Sequence, residues 1–500
     1  MSDAPDQRPV LPGFHPDPTV CRVGDTYYLA TSSFEYGPAV PVFRSTDLRD
    51  WQPIGHALAT AAHVDLTAAL PSSGVLAPTL RHHDGRFWLI TTNLADGGGQ
   101  LVVSATDPSG PWSAPTRFPT LSGIDPDLAW DEDGRCHVSF AGFGPHGPEG
   151  IQQVEVDLER GDVLTARRHL WSGTGAKFPE APHLYHVGDW WYLVIAEGGT
   201  ERGHAVSVAR SRSVSGPFEG CPANPVLTRR GTDRPVQSTG HADLVERPDG
   251  RWAAVYHGVR PRGGSPQWHV LGRETFVDEI EWSDGWPVFG RHVAPTTAPG
   301  AVVTRALDDD DLARSWVSPG GFASDVLTPA PGGWRLVDGG EGRTFVGRRQ
   351  QWLYVDVRAR VRVDGPSVGG LALRIDPSHE IAVELDAGSV RAVLTVGAVR
   401  TVLGQRAAGA DAELELRVLP ADGLWWSTAL GPDRVEVGLR EAGAFVPLGS
   451  VDGRYLSTEV AGGMTGRMVG LHCSAGSVLV RGVVCTGTDD ADAISAALGA

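Results

Sequence analysis

The sequence predicts an all-β protein, a five-bladed β-propeller followed by a β-sandwich. Two observations support this fold class. A hairpin pattern recurs five times before residue 290, and short alternating strands follow one another after residue 313. Helical periodicity is nearly absent from the first half of the chain. We therefore predict a propeller at 1–297, a linker at 298–312, a sandwich at 313–487 and a tail at 488–500.

The hairpin pattern consists of a tight-turn pair followed by a strand-forming stretch. Asp-Gly and Gly-Asp pairs supply the positive φ of hairpin turns, and aromatic or β-branched residues follow them. The spacing, about 50 to 60 residues, is longer than a helical repeat and suits a four-stranded sheet with its loops. The five stretches are GDTYYLATSS at 24–33, DGRFWLITTN at 84–93, DGRCHVSFAG at 133–142, GDWWYLVIAE at 188–197 and DGRWAAVYHG at 249–258. Five such sheets arranged radially make a propeller.

The strand that precedes each turn begins with a similar stretch. Counted back from the turn glycine, these starts lie at offsets of 7, 8, 9, 8 and 9, at Asp17, Ala77, Asp125, Glu180 and His241. The innermost strands of a propeller line a central channel, so equivalent residues at their starts converge at one end. We therefore predict that three carboxylates and a histidine share one cavity.

The first of these residues, Asp17, lies between two prolines in HPDPT. Proline fixes its own φ and disfavours helical geometry in the residue before it. We therefore expect Asp17 to lie in an extended segment that holds its carboxylate rigidly.

Carboxylates that lie close together repel one another, so we expect such a cluster only where a ligand, a cation or a reaction requires it. Glycoside hydrolysis needs one carboxylic acid to protonate the leaving oxygen and one carboxylate to activate water or attack. A third carboxylate near the acid would raise its pKa. A calcium site is an alternative use, and turn capping is a purely structural one. His241 can orient an acid, ligate a metal or satisfy a neighbour in the channel.

Composition and charge narrow the class of ligand. The net charge of -17 argues against nucleic acid, because phosphate binding needs a basic surface. Sixteen tryptophans supply platforms for stacking sugars. The chain has no apolar run long enough to cross a bilayer. We therefore predict a small oligosaccharide as partner, with neither nucleic acid nor membrane.

The N-terminus and the cysteines bear on localisation. The stretch MSDAPDQRPV has no positively charged segment followed by an apolar one, as a secretory signal would have. The five cysteines are scattered, without CxxC pairs or a zinc spacing. Free buried thiols are the expectation, and a cytoplasmic location follows from both observations.

The residue pattern of the chain changes after VAPTTAPGAVV and the acidic run 308–311. We interpret this acidic run as a solvated linker. Strand-like alternation then appears in LYVDVRARVRV, GLALRIDP, EIAVELD, VRAVLTV and AELELRVLP. Many strands at short spacing are typical of a β-sandwich.

Several ordered motifs in the first 290 residues resemble glycoside hydrolase family 43, in particular its β-xylosidases and α-L-arabinofuranosidases. VGRRQQ and DGRYLSTEVAGGMTGRMVG resemble the C-terminal sandwich, of jelly-roll or concanavalin-like type, that accompanies the exo-acting members. The resemblance implies a five-bladed propeller that hydrolyses with inversion. The motifs of the first domain are LPGFHPDPTVCRVGDTYYLATSSFEYGPAVPVFRSTDLRDW, GIDPDLAWDEDG, FPEAPHLYHVGDWWYLVIAEGGT, STGHADLV and LGRETFVDEIEWSDGWPV.

The resemblance also implies roles for the three carboxylates. Asp17 would be the general base, Asp125 the modulator of the acid's pKa and Glu180 the general acid. These are the carboxylates that the repeat brings to equivalent positions.

Three further residues are predicted to bind substrate. The resemblance directs Arg273 in LGRET at substrate hydroxyls and Phe34 in SSFEYGP at the sugar pocket. His241 completes this set, and it is also the one candidate metal ligand.

The chain departs from the family pattern at four positions. Leu76 and Met464 stand where aromatic residues are usual, Gly37 replaces a bulkier residue, and Ala181 stands where glycine commonly follows the acid. These changes put the identity of the substrate in doubt more than the catalytic chemistry.

The predicted function is an inverting exo-glycosidase. It would release xylose or arabinofuranose from non-reducing ends of short hemicellulose oligosaccharides, with β-xylosidase as the main activity. Two alternatives are α-L-arabinofuranosidase as the main activity and a sugar-binding propeller without catalysis. No cofactor is required, although a structural calcium ion in the channel is an alternative use of the acidic residues. The sequence leaves the oligomeric state open, a homo-oligomer included.

Overall fold

A computed structural model describes residues 7–143, 149–340, 344–423 and 430–499. Within these residues nearly all regular structure is β-strand, which confirms the predicted all-β class. Residues 1–6 of the predicted propeller and residue 500 of the predicted tail lie outside the described residues.

The chain divides into two compact units. The first contains residues 15–259 and 274–296 with the segment before Pro12, and the second contains 12–14, 260–273 and the chain from Thr297 onward.

Five antiparallel sheets follow one another along the first unit, and the first three strands of each lie side by side in the sheet. The first sheet is formed by β1 (Thr19–Val23), β2 (Thr26–Ala30), β4 (Ala39–Ser45) and β5 (Gln52–Leu58), with the short β3 (Tyr36–Gly37) between β2 and β4 in the chain. The second is formed by β6 (Thr79–His83), β7 (Arg86–Thr92), β8 (Gln100–Ala105) and β9 (Thr116–Phe118).

The three later sheets have the same order. The third is formed by β10 (Ile124–Trp130), β11 (Cys136–Gly142), β12 (Gly150–Asp157), β13 (Asp162–Val163) and β14 (Arg168–Trp171). The fourth is formed by β15 (Glu180–Val187), β16 (Trp190–Glu197), β17 (Ala205–Ser211), β18 (Glu219–Gly220) and β19 (Leu227–Thr228). The fifth is formed by β20 (Gln237–Glu246), β21 (Trp252–Val259), β22 (Glu274–Ser283) and β23 (Trp286–His292).

The predicted hairpin glycines do form the turns between the first two strands of the five sheets. All have the positive φ that favours glycine, between 58° and 78°, at Gly24, Gly85, Gly134, Gly188 and Gly250. The first strands contact one another in the order β1, β6, β10, β15, β20 and back to β1. The starts of these strands therefore lie around one common centre.

The hydrophobic core of the first unit lies between neighbouring sheets. Successive residues of a strand point to opposite faces. Accordingly, Leu128 of β10 packs in the cluster shared with the second sheet, and Ala129 packs in the cluster shared with the fourth. The third sheet is therefore covered on both faces, as radial packing requires.

The second unit contains two large antiparallel sheets. One has the order β26-β27-β38-β29-β34-β35-β36, with β24 also on β38, and the other has the order β28-β37-β30-β31-β32-β33. The strands of the first are β24 (Val303–Ala306), β26 (Leu327–Ala330), β27 (Gly333–Val337), β29 (Tyr354–Val363), β34 (Asp411–Leu419), β35 (Arg434–Glu441), β36 (Ala444–Asp452) and β38 (Ser477–Thr488). Those of the second are β28 (Thr344–Arg349), β30 (Val368–Asp376), β31 (His379–Leu385), β32 (Ser389–Val396), β33 (Val399–Ala407) and β37 (Met468–Ala475).

Both sheets contribute to one apolar cluster, with Val357, Leu416 and Val480 from one and Leu371, Ile381 and Leu471 from the other. This is the packing of two sheets face to face. The remaining elements are short: β25 (Ser318–Pro319), α1 (Asp309–Ser315), α2 (Ala323–Val326), α3 (Thr458–Ala461), α4 (Ala491–Gly499) and a 3-10 turn at Gly453–Leu456.

The segments predicted as linker and tail carry regular structure. β24 pairs with β38 inside the predicted linker, and the acidic run forms the start of α1, where Asp308 caps the helix by accepting from the N–H of Asp311. The tail contains α4. All five cysteines are free and buried, as predicted. Among the described residues, no helix has the length and apolarity needed to span a membrane.

Candidate active site

Near the starts of four of the five inner strands the backbone has an unusual conformation, which Ala77 in the second sheet does not share. Asp17, Asp125, Ala181 and His241 have φ between 52° and 54°, in the left-handed region that favours glycine. On β10, β15 and β20 the register with the next strand shifts at this point, as in a β-bulge. Bulges turn side chains away from the regular ladder and are frequent next to active sites. The predicted equivalence of the strand starts therefore has a structural basis.

Two sequence expectations need correction here. Asp17 is not extended, because its φ is 54° despite the proline that follows it. In the fourth sheet, the residue with the matching backbone is Ala181, so the predicted acid Glu180 lies one residue before the equivalent position. The bulge adds a residue that counting from the turn glycine does not detect.

Ala181 is one of the four departures from the family pattern. Its backbone conformation explains why the family usually has glycine at this position. It is buried with φ 52°, and this region costs a residue with a Cβ about 1–2 kcal/mol. Of the other three departures, Gly37 is buried, Leu76 is half-buried and Met464 is exposed.

Asp17 is buried and lies against three polar side chains. The Ser32 hydroxyl donates to Oδ2 at 2.5 Å. Nδ1 of His257 lies 3.2 Å from Oδ1, and Nδ1 of His241 lies 3.4 Å from the same oxygen. The structure therefore brings together the predicted base and one predicted substrate-binding residue.

His257 was not predicted as a site residue, yet it contacts Asp17 twice. The backbone N–H of Asp17 donates to its Nδ1 at 3.2 Å, which places the proton of a neutral ring on Nε2. The other face of the ring stacks on His204, with centroids 5.0 Å apart. The sequence signal was weak: His257 ends the fifth repeat stretch, VYHG, where the other repeats have different residues.

Glu180 and Asp125 differ in exposure. Asp125 is 8% exposed, whereas Glu180 is half-buried. The Thr200 hydroxyl lies 3.5 Å from Oε1 of Glu180. A general acid must reach the leaving oxygen, so the greater exposure of Glu180 suits that role.

The two remaining predicted site residues, Phe34 and Arg273, are distant from each other in the sequence. Phe34 is 4% exposed, has φ 52° and pairs through its backbone with Val75. Arg273 belongs to the second unit, where it is buried and its Nη2 donates to the backbone oxygen of Met464 at 3.4 Å.

A buried ionic cluster lies further along the same inner strands, and sequence analysis did not predict it. Arg81 of β6 is its centre: Nη2 is 2.8 Å from Asp127 of β10, and Nη1 is 2.8 Å from Asp243 of β20. Nδ1 of His183 on β15 lies 3.1 Å from Asp127. The Thr19 hydroxyl of β1 donates to Asp243 at 2.7 Å. All five inner strands therefore contribute to one cluster.

The electrostatics of this cluster are those of a closed structural centre. Burial alone would raise the pKa of Asp243, but Arg81, with His183, holds it well below its ordinary value. Burial raises the pKa of Tyr185 well above its ordinary value, so the phenol keeps its proton and donates to Asp243. Both carboxylates accept hydrogen bonds within the cluster, and the lowered pKa of Asp243 makes that carboxylate unsuited to proton transfer.

One group of site residues is compact enough to share a metal ion. Ligand atoms of Asp17, His241 and His257 all lie within 4.8 Å of one another. Calcium prefers six to eight oxygen ligands, whereas this group offers one carboxylate and two imidazoles. The donor set therefore fits calcium poorly, and imidazole ligands suit transition metals better.

Glycoside hydrolysis uses a pair of carboxyl groups. The first unit offers two on sheets around a common centre, Asp17 beside two histidines and the more accessible Glu180. The family model of the glycosyl hydrolases family 43 matches residues 7–287. The model of the β-xylosidase C-terminal concanavalin A-like domain matches residues 334–479. The chain belongs to glycosyl hydrolase family 43.

Similar proteins agree with this assignment. The chain is 34% identical over 497 residues to a non-reducing end α-L-arabinofuranosidase of Bacteroides ovatus, covering 94% of this chain and 91% of that protein. It is 42% identical over 303 residues to a xylosidase/arabinosidase of Butyrivibrio fibrisolvens, covering 58% of this chain and 57% of that one. The crystal structure of a xylan β-1,4-xylosidase from Bacillus halodurans matches with a TM-score of 0.84 and 26% identity, covering 96% of this chain and 99% of that one.

Proposed function

We propose that this glycoside hydrolase is an inverting exo-glycosidase that releases xylose or arabinofuranose from non-reducing ends of short hemicellulose oligosaccharides. β-Xylosidase is its main activity. The observation that carries the proposal is the shared strained backbone at the strand starts, which brings Asp17, Asp125 and the residue after Glu180 to equivalent positions. Strained residues of this kind cluster at active sites.

The proposed reaction is a single displacement at the anomeric carbon. Asp17 takes a proton from a water molecule, whose oxygen forms the new bond to that carbon. The glycosidic bond breaks at the same time, and its electron pair stays on the leaving oxygen, which Glu180 protonates. This requires about 6.5–9.5 Å between the two carboxyl groups, so that the water fits between base and sugar.

Asp125 acts on Glu180 rather than on the sugar. A neighbouring carboxylate disfavours a second negative charge, so Asp125 keeps Glu180 protonated near neutral pH. His257 and Ser32 hold the base in one orientation, which a single displacement needs because the water must attack in line. Phe34 and His241 bind the sugar that is released. The binding role of Arg273 stays a prediction from the sequence.

The proposed architecture of the first unit is a five-bladed propeller. The closed order of contacts among the first strands supports it, as do five successive antiparallel sheets. In such a propeller the strand starts form one pocket, as the proposed chemistry requires.

The experiment is a comparison of 4-nitrophenyl β-D-xylopyranoside with 4-nitrophenyl α-L-arabinofuranoside, followed by NMR of the sugar first released from xylobiose. We expect faster turnover of the xyloside and an α-xylose product, the inverted anomer. A β-xylose product would contradict inversion, and inactivity on both substrates would contradict the proposed specificity.

α-L-Arabinofuranosidase as the main activity is the second candidate. It is favoured by the similarity over 94% of the chain to a protein named for that activity. The same pair of substrates decides between the two, because a higher kcat/KM on the arabinofuranoside would establish this candidate instead.

Location and metal content are further parts of the proposal. Five free, buried cysteines are typical of a reducing compartment, which supports the cytoplasm. The poor fit of the donor atoms near Asp17 to calcium supports catalysis that requires no calcium ion. Cell fractionation with an antibody tests the first statement, and chelation tests the second.

A further inference from the structure

The segment 172–179, which we term the acid loop, leads directly into Glu180 and is anchored at both ends. The backbone N–H and hydroxyl of Thr174 donate to the buried Glu197 carboxylate at 2.9 and 2.7 Å. Near the other end, the N–H of Gly198 donates to the backbone oxygen of Lys177 at 2.7 Å. The loop therefore has a defined position beside the proposed acid.

Two glycines of the turn 198–200 leave no room for a Cβ, and the second of them faces the acid loop. A Cβ at Gly198 would lie 2.1 Å from the oxygen of Gly203, and one at Gly199 would lie 2.9 Å from Cε of Lys177. The Gly199 position is also 3.4 Å from Cδ2 of Phe178. The next residue of the turn, Thr200, reaches Glu180. The Phe178 ring and the acid carboxyl thus border the same short turn.

Phe178 is an unusual surface residue. Its side chain is 48% exposed, although burying a phenylalanine is favourable. Its φ of 54° is strained for a residue with a Cβ. A single exposed apolar residue needs no explanation, but a strained one two positions before a catalytic acid fits a functional role.

Lys177 is the one lysine among the 43 basic residues of the sequence, the other 42 being arginine. Its Nζ lies 5.8 Å from the centroid of the Phe178 ring and pairs with the Glu201 carboxylate. Both charged side chains are more than half exposed. They offer hydrogen-bond donors and acceptors beside an open aromatic face.

We propose that Phe178, Lys177 and Glu201 form the binding surface for the leaving-group sugar. Glu180 protonates the leaving oxygen, so the departing sugar must lie next to the acid on its accessible side. The apolar C–H face of a pyranose packs on an aromatic ring, and its hydroxyls bind the ammonium and carboxylate groups. This inference rests on the proposed glycosidase function and adds the subsite that selects the second sugar.

Kinetics with two substrates test the contribution of Phe178. Xylobiose has a sugar as leaving group, whereas β-D-xylopyranosyl fluoride releases a fluoride ion that is too small to contact the ring. We expect Phe178→Ala to lower kcat/KM on xylobiose about five- to tenfold, the size of an aromatic packing contact, with little change on the fluoride. Phe178→Tyr keeps the ring and should retain the activity on xylobiose.

The matched control is Leu164→Ala, which removes an apolar side chain that is 60% exposed between β13 and β14. It should leave both substrates unaffected. An equal loss on both substrates for Phe178→Ala, or no loss on xylobiose, would overturn the proposal.

The single lysine permits an independent test by chemical labelling. In the Asp17→Ala variant, bound xylobiose should persist and slow acetylation of Lys177 by an N-hydroxysuccinimide ester at least several-fold. Peptide mass spectrometry measures this, with the terminal amine as internal reference. Xylose, which binds the other subsite, should protect less. Unchanged labelling at saturating xylobiose would overturn the role of Lys177.

The two proposals fail in different ways. If the wild type hydrolyses neither xylobiose nor the fluoride, the proposed function fails. If it hydrolyses both and Phe178→Ala behaves as the wild type on both, the function stands and the leaving-group surface is refuted.

Discussion

Two aspartates on β10 lie two residues apart and differ in backbone conformation and in their partners. Asp125 lies at a bulge with φ 54°, whereas Asp127 lies in the regular ladder, fully buried, with Arg81 at 2.8 Å. Residue type and strand are the same. The two carboxylates therefore differ in partner and in local backbone, and we assign the structural role to Asp127 and propose the chemical one for Asp125.

The same contrast separates two groups of residues along the inner strands, which we term the first level, at the strand starts, and the second level, the ionic cluster around Arg81. At the strand starts, the Asp17 carboxylate accepts from the Ser32 hydroxyl, and the Asp17 backbone N–H donates to His257. Deeper along the strands, Arg81 forms ion pairs with both Asp127 and Asp243. The first level is suited to reaction, and the second ties the five inner strands to one another.

The largest expected effect is on catalysis at the first level. Asp17→Asn and Glu180→Gln should each lower kcat about 10²- to 10⁴-fold, because each removes a general acid or base. Steady-state kinetics on xylobiose measure the loss. Asp127→Asn, two residues from the chemistry on β10, should act mainly on thermal stability. If Asp17→Asn kept near wild-type turnover, Asp17 would not be the base.

At the second level the expected effect is on stability. Arg81→Met leaves two buried carboxylates without their cation and should destabilise the first unit by about 3–5 kcal/mol. Denaturant unfolding followed by tryptophan fluorescence measures it. The control is Arg251→Met, which removes an exposed partner of Asp249 and should change little. Equal effects of the two variants would contradict a special role of the cluster.

His257 tests whether positioning matters as much as the carboxylate itself. His257→Leu removes the acceptor for the Asp17 N–H and should lower kcat by up to about 10²-fold through misplacement of the base, with KM little changed. His257→Asn offers an oxygen near the Nδ1 position and should recover most of the loss. A parallel rise in KM, or no recovery by asparagine, would indicate a different role.

The pH dependence of stability sharpens the contrast further. The pKa of Asp243 is depressed in the folded state, so its contribution is present above the unfolded pKa of about 3.9 and is lost as pH falls through the folded pKa. The stability gap between wild type and Asp243→Asn should therefore be widest near neutral pH and shrink below about pH 4. Thermal midpoints at several pH values measure this, and a gap that widens in acid would contradict it.

The smallest expected effect is that of metal removal. Because the group around Asp17 offers calcium a single carboxylate, dialysis against EDTA should leave kcat/KM unchanged. A loss of activity that calcium restores would show that the channel binds this ion after all.

Much of the fold could be predicted from turn chemistry. The hairpin glycines Gly24, Gly85 and Gly134 have the positive φ that their Asp-Gly and Gly-Asp pairs predicted, and strand alternation predicted the second unit. The local backbone of Asp17 was predicted wrongly. Flanking prolines favour an extended residue, but tertiary packing holds it in the left-handed region.

The sequence by itself determined the all-β class, the repeat and two of the carboxylates, Asp17 and Asp125, that the repeat brings to equivalent positions. These follow from local rules, because turn residues and strand period act over a few neighbours. Only the tertiary structure decided which acidic residues share Arg81 and which histidine holds Asp17. Arg81 is 162 positions from Asp243, and His257 is 240 positions from Asp17. Partners so distant meet only when the sheets pack, so no local pattern encodes their pairing.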